Sequence, residues 1–143
     1  MLTSCSAQRR RQFANTRMAR SHHRKPWILV VDDNVDVANG LAMGLRIFDY
    51  AVRVRYGGPE GIVAALEDHP DIIILDIGMP ILDGFEVARK IRRALGVDAL
   101  LIAHTAWDDP TTLRRCKEAG FDHHVTKPVS LRSIVDLANK LES

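Results

Sequence analysis

Five residues of this chain are of the types that phosphoryl chemistry uses: the adjacent acids Asp32 and Asp33, a further acid at Asp76, a hydroxyl at Thr105 and an ammonium at Lys127. Each stands at or just beyond the end of a short run suited to a strand. Singly, each has an ordinary explanation, since acids after strands make turns or helix caps, threonine is common there, and a lysine is usually a solvated charge. As a set they carry more information, because three carboxylates gathered within a few ångströms repel one another unless a cation or protons compensate. A hard divalent cation with oxygen ligands relieves that repulsion, and Mg²⁺ holding one or two carboxylates and several waters suits the donors present. Metal and Lys127 would together offset the repulsion between a nucleophilic carboxylate and an incoming phosphoryl group, while Thr105 hydrogen-bonds a phosphoryl oxygen. The chemistry these residues suit is phosphoryl transfer to a carboxylate.

Such a cluster requires strands whose carboxyl ends meet. Trp27 to Val31 is a continuous β-rich run ended by Asp32-Asp33-Asn34, after which Val35, Ala38, Leu41, Leu45 and Phe48 recur at helical spacing. Gly40 and Gly44 lie inside that helix, where close packing on the sheet is the expected reason for them. Val52 and Val54 alternate with Arg53 and Arg55 as a strand with one solvated face, and Gly57-Gly58-Pro59 opens a helix to about Glu67. Ile72 to Leu75 reads as a strand buried on both faces and leads through Gly78-Met79-Pro80 and the N-cap Asp83 into a helix to about Leu95. Ala99 to Ala103 is the fourth strand, followed by a helix from Thr111 to about Ala119 that Gly120 closes. Phe121 to Val125 is a short polar strand, and Ser130 caps a last helix through Leu141.

Five strands alternating with five helices define a doubly wound α/β sheet. The first, third and fourth strands are apolar throughout, whereas the second and fifth are half polar and belong at the edges. With right-handed crossovers this gives the flavodoxin-like parallel order 2-1-3-4-5, whose ligand crevice lies at the carboxyl ends of the first and third strands.

The 143 residues, 46% hydrophobic and 27% charged, suit one globular domain. No apolar run approaches the roughly 20 residues that span a bilayer, so no membrane contact is expected. Cys5 and Cys116 lack metal or disulfide spacing, which fits a reducing cytoplasm. The net charge of +2 conceals a split: residues 1–25 carry seven basic side chains and no acid, which leaves 13 basic and 18 acidic side chains in residues 26–143. Residues 1–25 lack the apolar core of a secretory signal and read as a disordered basic extension, with Met18 an alternative start. The remainder, 26–143, is the folded domain.

The strings VVDDN, LDIGMPILDGFE, HTA and TKPVS, in this order and spacing, resemble the receiver domain of two-component response regulators over about residues 26–142. The resemblance implies that Asp76 is the phosphoacceptor, Asp33 a direct Mg²⁺ ligand, Asp32 a ligand acting largely through water, and the Gly78 carbonyl a backbone ligand. It further implies that Thr105 is the switch hydroxyl, that Lys127 pairs with the phosphate, and that the Lys127–Pro128 bond is cis. The phosphodonor would be a histidine kinase or a histidine phosphotransfer protein. With no further segment after Ser143, a stand-alone receiver with output through protein contact is expected, and GFDHHVTKPV also resembles receivers fused to hybrid histidine kinases.

The chain departs from the family pattern at His124, where the rotameric partner of the switch hydroxyl is usually Tyr or Phe. Gly78 and Trp107 occupy positions that often carry polar side chains affecting dephosphorylation. An imidazole at His124 would fill the vacated space as a switch partner or else be a solvated edge residue. His104 reads as a packed strand-end residue, and the pairs His22-His23 and His123-His124 lack a third metal ligand at suitable spacing. Two other functions compete. A haloacid-dehalogenase-type phosphatase also uses Asp, Mg²⁺, Thr and Lys, but Gly78 stands where its second acid belongs. A nucleic-acid binder would rely on the basic extension, giving at most weak, salt-sensitive contact.

Overall fold

The computed structural model describes residues 25–96 and 98–142. In chain order the elements are β1 (Ile28–Val31), α1 (Val35–Ile47), β2 (Val52–Arg55), α2 (Gly58–Asp68), β3 (Ile72–Asp76), α3 (Gly84–Leu95), β4 (Leu100–Thr105), α4 (Pro110–Ala119), β5 (His123–Thr126) and α5 (Leu131–Glu142). The strands form one parallel sheet in the order β2-β1-β3-β4-β5, as the burial pattern in the sequence requires. Apart from Lys25, the basic segment 1–25 lies outside the described residues.

Because alternate residues of a strand face opposite ways, each central strand feeds two cores. Leu29, Val31, Ile73, Leu75, Leu101 and Ala103 pack with residues of α2, α3 and α4 on one side of the sheet. Ile28, Val30, Ile72, Ile74 and Ile102 pack with α1 and α5 on the other. Burying one such side chain fully contributes about 1.5–3 kcal/mol, so the three central strands supply much of the driving force for folding.

Side-chain caps fix where helices begin after these strands. Asn34 accepts from the Val37 N–H, Asp83 from Glu86 and Asp109 from Thr112. Pro59 occupies the first turn of α2, where its missing N–H removes no helical bond. At the opposite end of α3, Arg92 donates to the carbonyls of Gly120 and Ala99, 2.8 and 2.6 Å away, and its other terminal nitrogen pairs with Asp122.

Two expectations need correction. The fifth strand starts at His123 rather than Phe121: Phe121 is buried in the core beneath α3 and α4, and the Asp122 carboxylate, not a strand partner, takes the Leu101 N–H at 2.9 Å. The α1 glycines do not pack on the sheet. Gly44 lies against Leu131 of α5, where a Cβ would collide with the leucine side chain, and Gly40 is exposed with open space around it.

Gly84 opens α3 under a tighter restriction. A Cβ there would run into the Ile77 Cα and the Asp76 carbonyl oxygen, both backbone atoms that cannot swing aside. Gly84→Ala is therefore expected to destabilise the domain by about 1–3 kcal/mol as overpacking does. Gly40→Ala should instead be neutral or stabilising by up to about 1 kcal/mol. Urea unfolding of both variants checks the contrast; equal effects would show that the α3 junction is not sterically closed.

Candidate functional site

Asp32, Asp33 and Asp76 come together because β1 and β3 are adjacent and in register, Val31 pairing with Leu75. One carboxylate oxygen from each lies within 4.8 Å of the others. Asp32 and Asp76 are buried and Asp33 is exposed, so the cluster has two inner oxygen donors and one at its rim. Local backbone holds the inner pair in place. Asp32 Oδ1 accepts from the Asn34 N–H at 2.9 Å, and Asp76 Oδ1 accepts from the Gly78 N–H at 3.1 Å.

Lys127 stands between the two inner acids, its Nζ 3.5 Å from Asp32 Oδ2 and 3.3 Å from Asp76 Oδ1. One ammonium thus serves two buried carboxylates at distances near the outer limit of a hydrogen bond. Its backbone is fixed by the β4–β5 junction, where the Lys127 N–H donates to the Thr105 carbonyl at 2.7 Å. The Lys127–Pro128 peptide bond is cis. Thr105 is buried at the end of β4, and its Oγ1 accepts from the Trp107 N–H at 3.0 Å.

Gly78 and Trp107 stand next to Asp76, whereas Ile81 and His124 are known by their exposure and backbone setting. Gly78 is exposed, and a side chain there would first meet Asp76 Oδ1 and the Trp107 ring, at 3.7 and 3.8 Å. Trp107 is itself largely exposed and so stands beside the entrance instead of filling the core. Ile81 projects fully into solvent from the same loop with φ of 70°, between a Pro80 carbonyl and a Leu82 N–H that bond to each other. His124 pairs in register with Ala103 and is exposed, while its neighbour Val125 packs against the core under α1 and α5.

One residue of the site has a larger place than its sequence position suggested. His104 is a packed strand-end residue as expected, but its Nδ1 also lies 3.8 Å from Asp32 Oδ2. The available signal was its parity: His104 is two residues beyond Ile102, on the sheet face shared with Val30 and Asp32. Its pKa is pushed down to about 4, first by burial and then by the Lys127 charge, with the Asp76 carboxylate opposing both.

The donor set fits a hard divalent cation. Three carboxylates converge, and among the described residues Asp32 Oδ2 is buried without a hydrogen-bond partner. Lys127 reaches into this cluster, and Thr105 ends the neighbouring strand β4.

Fold and site together define a signalling receiver. A family model described as the response regulator receiver domain matches residues 28–139, and the chain belongs to that family. The transcriptional regulatory protein PrrA of Mycobacterium tuberculosis is 39% identical over 113 residues, covering 77% of this chain and 47% of that protein. The chain thus spans about half the length of the curated relatives it matches. Among solved structures, the receiver domain of Francisella response regulator 1452 superimposes with a TM-score of 0.74 at 26% identity, covering 82% of this chain and 96% of that one. Vibrio cholerae CheY4 shares the fold with a TM-score of 0.76 at 22% identity, over 82% and 98% of the two chains. Receivers are signalling domains that work with histidine kinases, not metabolic enzymes. No helix among the described residues is long and apolar enough to cross a membrane.

The buried imidazole has a consequence for stability. An unfolded histidine titrates near ~6.5, so between that pH and about 4 the unfolded chain takes up a proton that the folded chain refuses. Metal-free protein is therefore expected to lose stability as pH falls through this window, with Lys127, Asp32 and Asp76 the charged groups facing the ring. His104→Asn should reduce the slope. Urea unfolding at several pH values in the presence of a chelator measures it; parallel curves for the two proteins would show that His104 is not the group responsible.

Proposed function

We propose that Asp76 accepts a phosphoryl group from the phosphohistidine of a histidine kinase or a histidine phosphotransfer protein, and that the phosphorylated domain signals through an altered protein-binding surface. The observation that carries this reading is the placement of Lys127 between Asp32 and Asp76 within the acid cluster. A carboxylate oxygen of Asp76 attacks phosphorus, a new O–P bond forms as the N–P bond breaks, and the departing imidazole nitrogen takes up a proton. Hydrolysis later returns the Asp76 carboxylate and inorganic phosphate.

Mg²⁺ held by Asp32, Asp33, Asp76 and the Gly78 carbonyl would supply positive charge against the phosphoryl oxygens. Lys127 contributes the second countercharge from the opposite flank, turning from its shared position toward the phosphoryl group. Thr105 lends its hydroxyl proton to a phosphoryl oxygen, and its movement alters the surface made by α4, β5 and α5, where His124 is the candidate partner side chain. Any contact with nucleic acid would be weak and confined to the basic extension.

Incubation with a small acyl phosphate and Mg²⁺ should add one phosphate to the wild-type chain and none to Asp76→Asn, read by intact mass and site mapping. Equal modification of the variant would remove Asp76 as the acceptor.

The lifetime of the phosphorylated state follows from the entrance. Gly78 offers no side chain to orient an attacking water, and Trp107 stands beside it, so autodephosphorylation should be slow. Trp107→Glu is expected to lose phosphate several-fold faster in the same buffer, followed by the decay of phosphoprotein. An equal or slower rate would show that this tryptophan does not shield the group.

A further inference from the structure

Asp32 Oδ2 lies deep in the sheet face, where an unpaired charge is expensive. Among the described residues it accepts no hydrogen bond, and two nitrogens face it: Lys127 Nζ at 3.5 Å and His104 Nδ1 at 3.8 Å. On the reading above, Lys127 has a second duty at Asp76 and turns to the phosphoryl group once that group arrives. Asp32 Oδ1 keeps the Asn34 N–H, but Oδ2 would then have one neighbouring donor, His104.

The ring itself points the same way. Its side chain is 2% exposed, and its Nε2 has no hydrogen-bond partner among the described residues. A neutral imidazole carries one N–H. Placed on Nε2, that N–H would be a buried donor without an acceptor while a lone pair on Nδ1 faced a carboxylate. Placed on Nδ1, it faces Asp32 Oδ2, and the nitrogen left unpaired is only an acceptor, the milder of the two defects. The main chain reinforces the arrangement, since His104 pairs with Asp76 across β3 and β4 and thereby sits level with both inner acids.

We propose that His104, with its proton on Nδ1, is the positioning residue of Asp32, holding this carboxylate in its cation-binding orientation when Lys127 turns toward the phosphoryl group. This rests on the receiver-site reading and extends it to a residue that touches neither cation nor phosphate. Groups that orient ligating carboxylates typically change metal affinity about 10–100-fold when removed.

The test uses the full chain. Two-bond ¹H–¹⁵N correlation spectra of metal-free protein at pH 8 should show the Nδ1–H tautomer for His104, assigned by its loss in His104→Asn. An Nε2–H tautomer would overturn the proposal. Mg²⁺ affinity by calorimetry supplies the second readout. His104→Asn, whose amide can place an N–H where Nδ1 stands, should bind within a few-fold of wild type. His104→Gln, whose amide reaches the Nε2 position, and His104→Leu should each bind about 10-fold more weakly. Equal affinity in all four proteins, or equal loss in all three variants, would overturn the positioning role, the latter in favour of simple packing. If His104→Leu does not fold, the comparison of Asn with Gln decides. Asp33→Ala is the control: folded wild type that binds Mg²⁺ no better than this variant would overturn the receiver-site reading and the proposal with it, whereas failure of the histidine series alone would leave that reading intact.

Discussion

Lys127 faces a problem that organises the rest of the site: a single ammonium lies between two buried carboxylates, 3.5 Å from one and 3.3 Å from the other, with a third acid nearby. Neither distance allows a strong hydrogen bond, so the ammonium is shared and committed to neither acid. A side chain bound tightly to one partner would resist displacement. One that is shared is poised to move when a stronger anion arrives. The surrounding structure keeps this balance by fixing everything else: Asp32 and Asp76 through the N–H groups of Asn34 and Gly78, and Lys127 through the Thr105 carbonyl. The parallel register then ensures that all these groups arrive at one level of the sheet.

Most of this arrangement was legible in the chain. Ile72 to Leu75 could only be a strand covered on both faces, and the alternation of Val52 and Val54 with two arginines could only belong at an edge. Those two patterns alone constrain the strand order, and with it the meeting of Asp32 and Asp76. The start of α3 was placed closely because its N-cap, Asp83, acts through a bond to a residue only three positions away, as Asn34 and Asp109 do at α1 and α4.

What was not legible depends on contacts between elements distant in sequence. Phe121 looked like the first residue of a strand, but it turns into the core, and Asp122 meets Leu101 with its N–H on the carbonyl and its carboxylate on the N–H before the regular ladder begins at His123. Gly44 suggested an approach to the sheet, yet its neighbour is Leu131, almost ninety residues later and on another helix. His104 was recognisable as buried, while its proximity to Asp32 depends on two strands that do not pair directly with each other. Local patterns specify an element and its face, but they do not say which polar atom ends opposite another across a parallel sheet.

The Arg92 cluster lies at the opposite pole from the acids. One guanidinium gathers the carbonyls of Gly120 and Ala99 with the Asp122 carboxylate, and nearby the Trp27 N–H is held by Asp71 at 2.9 Å. These bonds tie the incoming ends of four of the five strands to the loops that deliver them. The molecule is therefore anchored like a hand at the wrist. The outgoing loops that bear Gly78, Ile81 and Trp107 are the fingers, at the other end of the strands from these bonds. On the proposed function, a covalent mark at Asp76 would act at the fingers and leave the tied end of the sheet, and the core behind it, closed.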